Sequence, residues 1–401
     1  MADTTVSDPL DPRRAELAAD AADAIERAQP SNAPAMVGFD GFIDSIIRVV
    51  DRRGSLAPED YRPIETISGF AERCAAAAGR SANMEMVVTE RRFGGNGPLM
   101  AGALGRLGAP TTYLGAVGSP EDPTVLDPIY APFAERCERV VPVAEPGLTD
   151  ALEFVDGKLM MGKPANVQDV TWELLMQRPG IEAMRKIVGN SALIGIVNWT
   201  MMAGIPGIWR GLIDEVFPHP PERPGGRRVS IDLADPAKRT DGDVREALDT
   251  LRAMNELVPV TLGINRAECE RIDAVVRAGA FATEHERLSD TLRTAAETLR
   301  AALGLDTLVV HAHRGAAGAN AEGDVAWFDA PYTRTPRIST GAGDHFNGGF
   351  GFAQIHARDL GLSMAHCLAI ACGTSGAYVR DGQSPTRERL VELLRDLPIP
   401  E

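Results

Sequence analysis

The sequence predicts an α/β protein built on a doubly wound, mostly parallel sheet. The main observation is alternation. Apolar strand-like runs at 35–44, 111–118, 191–199, 228–233, 259–265 and 307–311 are separated by stretches with helical spacing such as 98–107, 244–257 and 283–303. Strands that alternate with helices cross over to parallel neighbours instead of folding back as hairpins. The second observation is size: 401 residues, 44% of them hydrophobic, suit one large α/β domain over 1–401 with an accessory piece. A chain of this length can bury about three quarters of its surface. The third is a strong hairpin signal, Asp156-Gly157 between alternating apolar and polar residues over 151–160.

In chain order, the Ala-rich stretch Pro12 to Ala28 predicts a leading helix, with Glu16, Asp20, Asp23 and Glu26 on one side. Residues 1–10 carry acids and no apolar run, which predicts no signal peptide. The run Ala35 to Asp44 reads as one strand ending in two carboxylates. Ligand groups in open α/β sheets gather at strand carboxyl ends, so Asp40 and Asp44 are candidate site residues. Asp40 beside Gly41 is equally a turn former. Residues 61–78 predict a helical insertion, and Met84 to Thr89 a strand before Phe93-Gly94-Gly95-Asn96-Gly97-Pro98. Pro98 suits a first helical turn, and Gly108 ends that helix. Gly102, Gly105 and Gly108 fall within and at the end of the helix, not at a strand–helix turn, so they do not form a dinucleotide fingerprint. Gly157 to Lys163 begins like a phosphate-binding loop, but Pro164 stands where the hydroxyl residue belongs.

Composition narrows the function. The formal charge of −15 argues against nucleic acid and anionic membrane partners. The five cysteines have no CxxC spacing, which argues against disulfides and a zinc knuckle. No apolar run approaches the ~18 residues of a spanning helix. A cytoplasmic protein is expected.

The most informative stretch is Ile338 to Phe350. Pro331 and Pro336 keep the preceding segment extended, and Phe346, Phe350 and Ile355 then recur at helical spacing. The small residues Gly341, Ala342 and Gly343 thus sit where a helix begins and unpaired N–H groups face outward, a ready anion site. Asp344 is held beside it.

Three features share an order: Gly94-Gly95-Asn96 before a helix ending in Leu107-Gly108, then Asn265-Arg266-Ala267-Glu268, then Gly341-Ala342-Gly343-Asp344. Together they resemble the PfkB, or ribokinase-like, carbohydrate kinases, over about residues 35–385. The resemblance implies a doubly wound domain with a small β-sheet lid, here inserted at about 45–93 and 148–165. It also implies transfer of a phosphoryl group from ATP, with Mg²⁺, to a hydroxyl of a small sugar, polyol or nucleoside-like substrate. By that likeness the amides of Gly341, Ala342 and Gly343 form the anion hole and Asp344 is the general base. Asp44, Asp40, Gly94, Gly95 and Asn96 lie on the substrate side. Asn265 and Glu268 act on Mg²⁺ and the phosphates through water, and His311 and His313 stand at the nucleotide segment. Family lids often pair between subunits, so a homodimer through the lid is expected.

The bland alternatives are a helix cap for Asp344, a capping pair for Asn265 and Glu268, and an ordinary tight turn for Gly94-Gly95. His311 and His313, on alternate strand positions, also raise a metal pair, without an evident third ligand. His345 reads either as a substrate contact or as a helix cap. The chain departs from the family at Leu99, where an Asn is usual, and at Ile338, where an Asp is usual. Those departures keep two other readings in view: a catalytically silent sugar- or nucleotide-binding sensor, and a kinase with ADP as donor.

Overall fold

The apolar runs become strands in chain order: β1 (Ala35–Phe39), β2 (Phe42–Arg53), β3 (Tyr61–Pro63), β4 (Met86–Gly94), β5 (Thr111–Gly115), β6 (Arg139–Pro142) and β7 (Gly147–Phe154). There follow β8 (Gly157–Lys163), β9 (Leu193–Val197), β10 (Arg228–Asp232), β11 (Val260–Asn265), β12 (Thr307–Ala312), β13 (Gly315–Asn320) and β14 (Val325–Asp329). This computed structural model describes residues 10–219, 226–283 and 285–401. Residues 1–9, read above for a leader, and residue 284, inside the stretch 283–303, lie outside the described residues.

A nine-stranded sheet runs in the order β14-β13-β12-β11-β10-β9-β1-β5-β6. From β12 to β6 every pairing is parallel, and only β13 and β14 turn antiparallel at one edge. Residues of β1 and β9 are buried throughout, because helices cover both faces of the sheet. One hydrophobic cluster, with Trp209, Leu251 and Leu299, fills one side of the sheet. A second, with Met100, Leu104, Phe350 and Leu368, fills the other. The chain leaves β1 for β5 in one direction and later returns to β9 in the other, so strand order reverses between β1 and β9. Ligands in such sheets bind above this reversal, at the strand carboxyl ends.

A second, five-stranded sheet has the order β3-β2-β7-β8, with β4 on the other edge of β2. It draws on Phe42–Gly94 and Gly147–Lys163, and the Asp156-Gly157 hairpin is present with Phe154 opposite Gly157. Ile47, Val49, Ile64, Phe70, Leu152 and Phe154 form its own small core. Met86, Val88, Met160 and Met161 on this sheet are exposed. Lys163 pairs with Asp150 across the hairpin, so the GxxxxGK stretch is strand and not a phosphate loop.

Two expectations, the run 35–44 and the insertion 61–78, differ from the structure. The run 35–44 is not one strand: it breaks at Asp40-Gly41, and Asp44 belongs to β2 of the small sheet. A Cβ on Gly41 would lie 1.9 Å from the carbonyl oxygen of Ala116, so only glycine lets the chain pass so close while changing sheets. The insertion 61–78 is a short strand followed by the helix Ile67–Ala75. The Gly/Ala-rich stretch after His311 is β13, whose small residues admit close neighbours: a Cβ on Gly318 would meet Met364 Sδ at 2.5 Å. All five cysteines are free, and no helix among the described residues is long and apolar enough to cross a membrane.

Candidate active site

The carboxyl ends of β1, β9, β10, β11 and β12 bring Asp40, Asn198, Asp232, Asn265 and His311 to one edge of the large sheet. The N-termini of the helices Asn96–Arg106 and Ala342–Leu360 meet the same edge. Hydrogen bonds tie them there. Asn347 Nδ2 donates to Asp232 Oδ2 at 2.8 Å, and the Asn96 and Gly97 amides donate to Asp40 at 2.9 and 2.7 Å.

Asp344 is buried in the first turn of its helix, and Asn96 Nδ2 donates to its Oδ1 at 2.8 Å. Burial, then the negative charge of Asp232 and more weakly of Asp40, push its carboxyl well above the usual carboxylate range. The Asn96 bond pulls the other way. The result is a carboxyl of raised proton affinity at the helix N-terminus, joined to the double-glycine segment by one amide.

The amides of Gly341 and Gly343 have no backbone acceptor among the described residues, whereas the Ala342 N–H closes a turn onto the Ser339 carbonyl at 3.2 Å and the Asp344 N–H faces its own carboxylate. The open donors are therefore two of the expected trio, Gly341 and Gly343, because Ala342 is engaged by the turn that enters the helix. Gly341 takes φ 90° as the N-cap residue, a left-handed conformation that suits glycine. A Cβ there would meet Leu99 Cδ1 at 2.8 Å. Leu99 thus packs against the turn.

Asp40 corrects the substrate-side expectation. It is fully buried, and its carboxylate accepts from the Asn96 and Gly97 amides and from Asn198 Nδ2 at 2.7 Å. It caps one helix and anchors a strand end, and has no face left for a substrate. Burial raises its pKa while the three donors oppose the shift. Gly94 and Gly95 likewise face protein. A Cβ on Gly94 would lie 2.6 Å from Asp44 Oδ2, and one on Gly95, at φ 104°, 3.1 Å from Gly41 Cα. Asp44 is 8% exposed on the small sheet, opposite Arg92. Burial raises its carboxyl, and Thr149 and Arg92 oppose that. The phenol of Tyr378, pushed up to about 12 by burial and then by Asp344, also feels Arg92, Arg136 and Asp44, so the small sheet meets the site here.

Asn265 and Glu268 form a reciprocal cap. Asn265 N donates to Glu268 Oε2 at 2.9 Å, Asn265 Nδ2 to Oε1 at 2.6 Å, and Glu268 N to Asn265 Oδ1 at 3.0 Å. Burial first, and then Asp232, push Glu268 up to about 8. Asp232 rises to about 6 through burial, opposed by the Ala234 and Asn347 bonds. The hydrogen-bond partners of Asp40, Asp232, Glu268 and Asp344 are neutral amides, and burial raises all four carboxyls, so none of these partners offsets the charge that ionising them places on this edge. Asn198, held at φ 64° and buried, leaves its Oδ1 without a partner. Carboxylates and a bare amide oxygen are the hard donors Mg²⁺ accepts, largely through its own waters. Among the described residues no three His, Cys, Asp or Glu side chains are placed to hold a metal directly.

His311 and His313 do not form a pair. The strand ends at Ala312, so the alternation stops before His313. The His311 ring lies 5.0 Å from that of Phe346, beside Gly343, and the His313 ring lies 6.5 Å from that of Tyr332. Burial and then His313 push His311 down to about 4, which leaves it neutral. His345 is completely buried, and its two ring nitrogens face the Gly341 carbonyl and Ser384 Oγ. Asp232, Asn198 and Asn347 were missed by sequence reasoning. Asp232 ends an apolar strand, the same signal that marked Asp40, whereas nothing local marks Asn198 or Asn347. A cavity of about 900 Å³ lies at the opposite edge of the sheet, beside the Arg228–Asp306 ion pair, away from these groups.

The profile of a family described as prokaryotic ketohexokinase matches residues 15–397. The chain belongs to the prokaryotic ketohexokinase family. It is a sugar kinase of the PfkB/ribokinase type, a phosphotransferase with an alcohol group as acceptor. A ketohexokinase of Haloferax volcanii is 29% identical over 364 residues, 88% of this chain and 89% of that protein. Among solved structures, ribokinase of Arabidopsis thaliana, determined with ribose and ATP, aligns with TM-score 0.58 at 16% identity over 91% of this chain and 99% of that one. A phosphofructokinase-2 variant of Escherichia coli aligns with TM-score 0.58 at 14% identity, again over 91% and 99%. These structural likenesses establish the fold.

Proposed function

We propose that this ketohexokinase-family protein transfers the γ-phosphoryl group of ATP to a hydroxyl of a ketohexose. The observation that carries the mechanism is Asp344: a buried, charge-raised carboxyl in the first turn of a helix whose neighbouring N–H donors are open. Asp344 takes the proton of the acceptor hydroxyl as its oxygen bonds the γ-phosphorus. The bond to the bridging oxygen then breaks and ADP leaves. The amides of Gly341 and Gly343 hold the transferred oxygens, and Asn96 orients the base. Asp44, with Arg92 beside it, binds the acceptor from the small sheet. That sheet acts as a lid that excludes water and suppresses ATP hydrolysis. His311, neutral against Phe346, borders the phosphates, and Asn265 holds the Glu268 carboxyl, which would act on the cation through its waters.

The choice of acceptor follows from the family and the Haloferax volcanii relative. A panel of ketohexoses, aldohexoses, ribose and nucleosides, each with ATP and with ADP, tests it. The expected result is the highest kcat/KM for a ketohexose with ATP. A nucleoside as best acceptor, or ADP as the preferred donor, overturns that part of the reading. Tight sugar binding without turnover favours a silent sensor.

Mg²⁺, when bound, neutralises phosphate charge, and Glu268, Asp232 and Asn198 are the residues that fit it. Glu268 titrates from 4.5 to about 8 on folding, so protonation favours the folded state. That stability is fully present below about pH 4.5 and is lost as pH rises through about 8. The thermal midpoint of metal-free protein should therefore fall between these limits. Added Mg²⁺ should restore it most at the alkaline end. Glu268→Gln should flatten both effects; an unchanged Mg²⁺ response in that variant removes Glu268 from the site.

A further inference from the structure

Three successive carbonyls at the start of the helix Ala342–Leu360 are each gripped by a different side chain. Tyr378 Oη donates to the Thr340 carbonyl at 2.8 Å. His345 Nδ1 lies 2.8 Å from the Gly341 carbonyl. Ser375 Oγ donates to the Ala342 carbonyl at 2.9 Å. A trans peptide is planar, with its C=O and N–H pointing in opposite directions. Fixing the carbonyls of residues 340 and 342 therefore fixes the open N–H groups of Gly341 and Gly343, and the His345 grip on the Gly341 carbonyl fixes the peptide between them, whose Ala342 N–H closes the turn onto Ser339. The peptides most in need of such restraint are these, because Gly341 at φ 90° has no side chain to bias its rotation.

The imidazole at the centre has only one consistent protonation pattern. Its Nε2 lies 2.7 Å from Ser384 Oγ, and Arg136 Nη1 lies 3.3 Å from the same hydroxyl. The Gly341 carbonyl can only accept, so Nδ1 carries the proton. In the neutral ring Nε2 then accepts from Ser384 Oγ, which in turn accepts from Arg136. The ring is completely buried and stacks on Tyr378 with centroids 3.6 Å apart and planes 13° apart. Two of the three clamps thus support each other, and a chain of donors runs from half-buried Arg136 to the candidate anion hole.

We propose that His345, held as its Nδ1–H tautomer between the Gly341 carbonyl and Ser384, is a positioning residue that together with Tyr378 and Ser375 holds the turn so that the Gly341 and Gly343 N–H groups keep their phosphoryl-binding orientation. The proposal rests on the reading of that turn as the anion hole. It gives His345 a task that neither a substrate contact nor a helix cap would have, and it makes the clamp matter for the transferred group alone.

The test compares His345→Phe, which keeps the ring and the stack but no donor, with His345→Asn, whose amide reaches the position of Nδ1. Tyr378→Phe removes the neighbouring clamp with little change in shape. Two quantities are read: kcat and KM with D-fructose and Mg²⁺–ATP, and affinity for ADP with aluminium fluoride relative to ADP alone. Misplaced donors cost roughly 10- to 100-fold in kcat with KM little changed. His345→Phe and Tyr378→Phe should show that loss and a matching drop in the aluminium fluoride preference. His345→Asn should recover most of it. Lower thermal midpoint with unchanged kcat and unchanged preference in the folded fraction makes His345 merely structural and overturns the proposal. Should His345→Phe not fold, Tyr378→Phe and Ser384→Ala decide on the same readouts. Asp344→Asn separates the two levels: inactive Asp344→Asn beside fully active clamp variants refutes the clamp alone, while active Asp344→Asn refutes the site.

Discussion

Asparagine in place of Asp344 lowers kcat by roughly 10²- to 10⁴-fold, the usual contribution of a positioned general base. The substitution keeps the shape and keeps an oxygen able to accept from Asn96 Nδ2, which holds the carboxyl at 2.8 Å in the native protein. What it removes is the capacity to take a proton. Folding should not suffer, because the native carboxyl is buried near Asp232 and Asp40, and the neutral amide relieves that repulsion. The expected signature is therefore a lost kcat with an unchanged or higher thermal midpoint. The pH profile adds a second reading. Asp344 works ionised, and its pKa is raised, so wild-type kcat/KM should fall as pH drops and restore the proton. The residual activity of the variant should lack that acidic limb. Retention of more than about a tenth of the wild-type kcat would remove Asp344 from the role of base.

Asp40→Asn carries the largest expected loss of stability, although the residue faces no substrate. Both carboxylate oxygens accept: Oδ1 from the Gly97 amide, Oδ2 from the Asn96 amide and from Asn198 Nδ2. Whichever way an asparagine amide turns, its NH₂ meets at least one N–H in a fully buried place. A buried donor left unsatisfied costs about 1–3 kcal/mol, and the opposed N–H groups add repulsion. Unfolding in urea should show a loss of roughly 2–4 kcal/mol on that basis. Activity in the remaining folded protein should also drop, because the Asn96 segment that carries the bond to Asp344 is pinned by Asp40. A change below about 0.5 kcal/mol would show that the three bonds do not hold this corner together.

The contrast between these two aspartates shows where local sequence stops informing. Both follow the same rule, a carboxylate at the edge of an apolar strand or helix beside glycine. Asp344 keeps one open side because the turn before it exposes unpaired amides. Asp40 is consumed because two segments distant in the chain, the helix Asn96–Arg106 and the end of β9, converge on it. Asp44 shows a related limit. Its apolar neighbours Ile43 and Ile46 fit a strand, but which sheet that strand joins depended on the close passage of Gly41 by Ala116. The antiparallel edge was hidden for a different reason: β13 is built of glycine and alanine, whose small size answers to Met364 and Trp327 and not to any strand preference.

The sequence by itself determined the α/β class, the large sheet's strand–helix alternation, the 156–157 hairpin, and the turn at 341–344 where a helix begins. Each depends on the period of apolar residues or on the backbone preferences of glycine and proline, which act over a few neighbouring residues. Only the tertiary structure decided which charged groups share space. It joined Asn96 to Asp344, Asp232 to Asn347 and Glu268, and the Arg136–Ser384 chain to His345. Burial and proximity set both pKa and hydrogen-bond roles, and neither is a property of a residue and its neighbours in the chain. The turn at 341–344 was visible as a motif; the side chains that hold its peptides in place became visible only once the chain had folded around them.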